Sequence, residues 1–170
     1  KLVAIDHPKD MHVYVNETFV PPPFPPSRVY GFKTKFLPIA AIDGQGNDQL
    51  QKISYQDDEH IANLHYEMYQ GVTELHDLIL TFNDLSDSDS LFLFLQGWLF
   101  PTDASINVNL SQSNKLNSIF PFLQVPNENG NWITVVDNMG FPKGKNKTMI
   151  IDLTDKFITN DHRVRIRTNM

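Results

Sequence analysis

The second half of the chain is a succession of short apolar or alternating runs set apart by Gly, Pro and Asn. Leu91 to Leu95 (LFLFL), Trp132 to Asp137 (WITVVD), Lys147 to Leu153 (KTMIIDL) and Arg163 to Thr168 (RVRIRT) have the length and the β-branched and aromatic content of strands. The first is apolar on both faces, which predicts a central strand covered on two sides. The last alternates with period two, turning Val164 and Ile166 inward and Arg163, Arg165 and Arg167 outward. Pro121 to Val125 and Trp132 to Asp137 flank Asn129-Gly130, a pair that accepts the positive φ angles of tight turns, so a hairpin is expected. Leu78, Leu80 and Phe82 fall on one face of a strand over Leu75 to Phe82. Ile106, Val108 and Leu110 do the same over Asn107 to Ser111.

In the first half, Leu2 to Ile5 and His12 to Val15 are short β-rich runs separated by the turn-forming cluster Asp6 to Asp10, which suggests that they pair as a hairpin. Pro21 to Pro26 (PPPFPP) donates a backbone hydrogen bond only at Phe24 and predicts an extended polyproline segment, a stiff linker or a strap across a sandwich edge. It divides the chain into a short β element over 1–20, a strap over 21–27 and a main domain over 28–170. Arg28 to Phe36 alternates weakly. The one helix expected is Asp57 to Gln70, where Ile61, Leu64, His65 and Met68 fall at helical spacing behind Asp57 and Asp58 as caps. The pattern as a whole predicts an all-β fold, an antiparallel, jelly-roll-like β-sandwich with at most one short helix.

Composition narrows the class without fixing a function. The 170 residues, 41% hydrophobic and 20% charged, suffice for one substantial core with a small appendage. Fourteen Lys and Arg against 20 Asp and Glu leave a net charge of −6, which argues against nonspecific affinity for nucleic acid or anionic lipid. The chain has no Cys, which removes disulfides, thiolate metal sites and cysteine nucleophiles. No run approaches the roughly 18 apolar residues of a membrane span. The opening KLVAIDHPKD lacks the layout of a signal peptide, and the abrupt ends at Lys1 and Met170 are those expected of a piece of a longer protein.

Three constellations invite a chemical reading. In Asp43-Gly44-Gln45-Gly46-Asn47-Asp48, side-chain oxygens of Asp43, Gln45, Asn47 and Asp48 alternate with glycines that permit tight curvature, as hard cations such as calcium require. A plain turn is the competing reading, since the same residues dominate turns and the spacing is not that of an EF-hand. Trp98, Phe100 and Trp132 flank loops beside Thr102, Asp103 and Asn107. A ring stacked on a sugar's apolar face with neighbouring polar groups is a way to hold carbohydrate, although rings at strand ends also serve as core. The outward stripe Arg163, Arg165 and Arg167 suits an acidic partner, or an exposed sheet face paired with local carboxylates. His60 and His65 lie five apart without a metal-site partner. Gly140 to Thr148 lacks phosphate-loop spacing, and no G-x-S-x-G surrounds any serine, so a hydrolase would rest on scattered Ser, His and Asp alone.

The stretch Leu93 to Gln112 (LFLQGWLFPTDASINVNLSQ), with Trp132 to Val136, Met139 to Thr148, Ile151 to Thr154 and Arg163 to Asn169, resembles a segment of large bacterial proteins that carry FG-GAP and ASPIC/UnbV regions. Leu2 to Pro8, Val13 to Glu17 and Phe19 to Pro26 resemble the portion just upstream. The resemblance implies a β-rich accessory module of an exported, periplasmic or extracellular protein, and it carries no catalytic residues with it. The expected function is therefore a non-enzymatic structural or adhesion module contacting neighbouring domains or another protein. A carbohydrate-binding module is the alternative and an uncharacterised hydrolase a second one; calcium is the only cofactor the sequence suggests.

Overall fold

The computed structural model describes residues 4–26, 28–55, 57–61, 65, 70–86, 88–99, 102–115 and 117–170. Its elements in chain order are β1 (His12–Val15), β2 (Val29–Phe32), β3 (Ala40–Asp43), α1 (Leu50–Ser54), β4 (His76–Thr81), β5 (Phe92–Leu99), α2 (Ala104–Gln112), β6 (Phe122–Pro126), β7 (Trp132–Val136), β8 (Gly144–Asp152) and β9 (Arg163–Thr168). All strand pairs are antiparallel: a five-stranded sheet in the order β3-β4-β9-β6-β7, a β5-β8 ribbon and a β1-β2 ribbon. This is the all-β, sandwich-like class that the alternating runs predict.

The layers follow from which side chains oppose each other. In the β5-β8 ribbon Leu93 lies across from Ile151 and Leu95 across from Met149. These four share a core with Ala41, Leu80, Leu123, Val125 and Val164 from the inner face of the five-stranded sheet. The opposite face of the ribbon is also apolar. There Phe92 and Phe94 meet Tyr14, Tyr30 and Phe32 of the β1-β2 ribbon, with ring centroids 4.5 to 5.7 Å apart, and Ile150 is buried. Strand β5 is thus covered on both sides, as LFLFL requires.

The strands that pair across the proline run are β1 and β2, so Pro21 to Pro26 lies within a hairpin connection rather than ahead of the sheet. This corrects the expected pairing of β1 with residues 2–5: Ile5 belongs to no strand and residues 1–3 lie outside the described set. The reason is cross-strand chemistry, since pairing β1 with β2 places Tyr14 opposite Tyr30 and presents one aromatic face to β5. Beyond β1 the chain staples the edge of β8. The Asn16 side-chain amide takes the place of a backbone group, donating to the Ile150 carbonyl and accepting from its N–H, each at 3.2 Å. The Glu17 N–H donates to the Thr148 carbonyl, and Phe19 exchanges backbone hydrogen bonds with Phe141. Gly140 makes this approach possible. Its φ is +68°, and an added Cβ would lie 2.4 Å from Thr18 Cγ2 and from Val20 Cγ1.

Among the described residues there are two helices rather than one. The stretch Asn107 to Ser111, expected as a strand, lies in α2. Asp103 decides this: its carboxylate accepts from the Ile106 N–H at 3.0 Å, an N-cap that nucleates the turn. In a helix Ile106 and Leu110 share a side and are half-buried, while Val108 between them is exposed. The helix expected over 57–70 falls largely outside the described residues; 57–61, 65 and 70 are not helical, and Asp57 instead forms a turn by accepting from the Glu59 N–H. The β6-β7 hairpin is present, but its connection is Asn127 to Asn131, organised by Asn127 Oδ1 accepting from the N–H groups of Asn129 and Asn131.

Truncation separates the layers. Leu123→Ala, at a fully buried position, is expected to cost about 2–5 kcal/mol of global stability in denaturant unfolding. Phe94→Ala should instead preferentially raise amide exchange over residues 12–15 and 29–32, because it removes the ring on which the outer ribbon rests.

Candidate functional site

The outward face of the five-stranded sheet brings together arginine, carboxylate, amide and tryptophan side chains. Register places Arg165 across from Ile79 on one side and Gln124 on the other, Gln124 across from Thr134, and Arg167 across from Asp77 and Phe122. Because β6 lies between β9 and β7, the guanidiniums of β9 reach Trp132 on β7. Arg165 Cζ stands 4.8 Å and Arg163 Cζ 5.5 Å from the Trp132 ring centre.

These cations are held in place. Arg165 donates through Nε to Gln124 Oε1 at 2.8 Å and through Nη2 to the same oxygen, and the Gln124 amide donates to Thr134 Oγ1. Asp77 lies 3.8 Å from Arg165 Nη1 and 3.0 Å from Arg167 Nε. The second contact is close enough for an ion pair but not aligned as a hydrogen bond, leaving both atoms without one. Burial pushes the Arg165 guanidinium down from its ordinary value, with Asp77 opposing the shift. Arg163 is hydrogen-bonded to Asp161, which raises its own value and lowers that of the carboxylate. Three arginines against two acids leave a local excess of positive charge on a chain whose net charge is −6.

The residues predicted for sugar binding divide between places. Trp132 is on β7 of the five-stranded sheet and Trp98 on β5 of the ribbon, where 47% of its surface is exposed. Phe100 lies outside the described residues. Thr102, Asp103 and Asn107 come together at the start of α2, where the Thr102 hydroxyl donates to Asn107 Oδ1 at 2.7 Å and Asp103 accepts from Ser105 and Ile106. The Ser105 hydroxyl, then the Ile106 N–H, hold the Asp103 carboxyl below its ordinary value.

Asp43, Gln45, Asn47 and Asp48 also share one loop, and its polar atoms serve the fold. Asp43 Oδ1 accepts from the N–H groups of Gln45 and Asn47, and Oδ2 from the side-chain amides of Asn47 and Gln49. Against a partial desolvation that raises it, these bonds bring the Asp43 carboxyl below the usual range. Asp48 accepts from the Leu50 N–H at the start of α1. The loop folds back along β3: Asp43 N–H donates to the Asn47 carbonyl and Gln49 N–H to the Ala41 carbonyl. Gln45 contributes its backbone. Among the described residues no three His, Asp or Glu side chains gather as a metal site would require. Among the described residues His162 approaches Asp84 at 3.8 Å and His65 approaches Glu74 at 3.9 Å, in separate parts of the chain.

Sequence reasoning singled out Trp132 and the arginine stripe separately; Gln124 and Asp77, which fix them, went unnoticed. The available signal was that Gln124, Thr134 and Asp77 all occupy outward positions of their strands.

Asp43 carries a pH dependence with a definite sign. Its folded value lies below its unfolded one, so its contribution is full above the unfolded value near about 4 and is lost as pH falls through the folded value. Asp43→Asn is therefore expected to lower Tm at pH 7, and the gap from the unaltered protein should narrow on acidification toward about pH 2.5, as thermal scans by circular dichroism would show. No family model, no curated protein and no solved structure matches this chain.

Proposed function

We propose that this chain is a non-catalytic interaction module that engages an acidic protein surface through the outward face of its five-stranded sheet. The observation that carries this is Trp132 flanked by the guanidiniums of Arg163 and Arg165 on a locally cationic face of an acidic chain. Trp and Arg are the side chains that dominate binding energy at protein interfaces, because each combines large area with oriented polar groups. Holding Arg165 on Gln124 and Asp77 before binding reduces the entropy lost on association. An exported setting, periplasmic or extracellular, belongs to the same proposal and rests on the resemblance of Leu93 to Gln112 and its companion segments.

Carbohydrate binding is the second reading, favoured by the exposed ring of Trp98. The two readings separate cleanly because the chain has only two tryptophans. In a Trp98→Phe background, Trp132 emission is expected to respond saturably to poly-L-glutamate, to lose the response at high salt, and to bind about tenfold more weakly after Arg165→Ala. A Trp98 response to neutral polysaccharides in a Trp132→Phe background would favour the sugar reading. Absence of any Trp132 response to the polyanion would remove this face as the acidic-partner site.

A further inference from the structure

The two edges of the five-stranded sheet differ. At β3 the chain covers its own edge, since residues 43–49 return alongside it with Asp43 N–H on the Asn47 carbonyl, Gln49 N–H on the Ala41 carbonyl and a bridge between Ile42 and Asp48. At the other edge β7 pairs with β6 alone, and no backbone hydrogen bond from any described residue reaches its outer side. A strand edge in this state presents a row of free N–H and C=O groups. The usual safeguards against pairing are charges and prolines, and Trp132-Ile133-Thr134-Val135-Val136 contains neither. The one irregularity, a bulge between Leu123 and Gln124 opposite Thr134 and Val136, leaves Trp132 to Thr134 regular.

We propose that the outer edge of β7 is a homodimer interface, pairing antiparallel with β7 of a second copy about a twofold axis perpendicular to the sheet. The segment is complementary to itself. A perpendicular axis keeps the core face of each copy on the same side, so only registers that pair inward with inward residues are allowed. Centred on Ile133, Trp132 meets Thr134 and the two Ile133 residues meet each other. No residue of the regular segment Trp132 to Thr134 carries a charge, and the acids Glu128 and Asp137 lie outside it, in the β6-β7 connection and beyond the bulge. Two acidic chains thus meet along an uncharged strip, and the result is one continuous ten-stranded sheet.

The test is oligomeric state against concentration. Light scattering after size exclusion and sedimentation velocity are expected to show a reversible monomer–dimer equilibrium between about 1 µM and 500 µM, tightening with salt as the acidic chains are screened. Thr134→Lys, which sets two cations near the axis on an exposed position, should weaken dimerisation by about tenfold or more with the circular dichroism spectrum unchanged. Because the chain has no Cys, single-cysteine variants map the contact directly. Ile133→Cys, at the centre of the pairing, is expected to give oxidised dimer, with Gln45→Cys on the covered edge giving none. A protein that stays monomeric across this range, a dimer unaffected by Thr134→Lys, or crosslinking through Gln45→Cys alone would each overturn the proposal.

Discussion

A two-stranded ribbon that is apolar on both faces dictates the rest of this molecule. Leu93, Leu95, Met149 and Ile151 occupy one face of β5-β8; Phe92, Phe94 and Ile150 occupy the other. Leaving a large apolar side chain in water forfeits about 1.5–3 kcal/mol, so neither face tolerates solvent and the ribbon must be a middle layer. The five-stranded sheet closes one side and the aromatic face of β1-β2 the other. The staple of Asn16 to Phe19 along β8 holds that outer ribbon down, and the bare backbone of Gly140 lets it come close.

Charge is arranged as the complement of this packing. The sheet that supplies Leu80, Leu123 and Val164 to the core turns Asp77, Gln124 and three arginines outward, because alternation on each strand leaves them no other place. Crowded side by side on β9, the guanidiniums repel one another, which Asp77, Asp161 and the Trp132 ring offset. The same residues therefore serve two ends. They make a row of like charges tolerable on a sheet face, and they leave an aromatic and cationic surface ready for a partner.

The strand faces were legible wherever period two was unambiguous. RVRIRT turned Val164 and Ile166 inward and LHDLILTF turned Leu78, Leu80 and Phe82 inward as read, while LFLFL is covered on both faces but pairs with β8 alone rather than standing at the centre of a sheet. Ile106, Val108 and Leu110 misled because Ile106 and Leu110 satisfy helical spacing as well as strand alternation; the deciding signal was Asp103, three residues before Ile106. Pairing between distant segments was not legible. Nothing in the spacing of Trp132 and Arg165 reveals that β6 separates their strands and brings them together, nor that β1 would choose β2. In the Asp43 loop, composition suits a cation and an Asx turn equally, and only the direction of the surrounding N–H groups shows where the carboxylate lone pairs go.

The strand order has a kinetic consequence. Strand β9, the last of the eleven elements in chain order, sits at the centre of the five-stranded sheet between β4 and β6. Its partner β4 precedes it by more than 80 residues, so most of the sheet's pairing is remote in sequence. Chains dominated by such high contact order fold in milliseconds to seconds rather than microseconds, because the long loop must close before its contacts repay the entropy. During synthesis the inner face of β4 and the core face of β5 wait without the central strand of their covering sheet until residue 168 has been made. The order of strands thus leaves apolar surface of the growing chain exposed to aggregation until β9 is added.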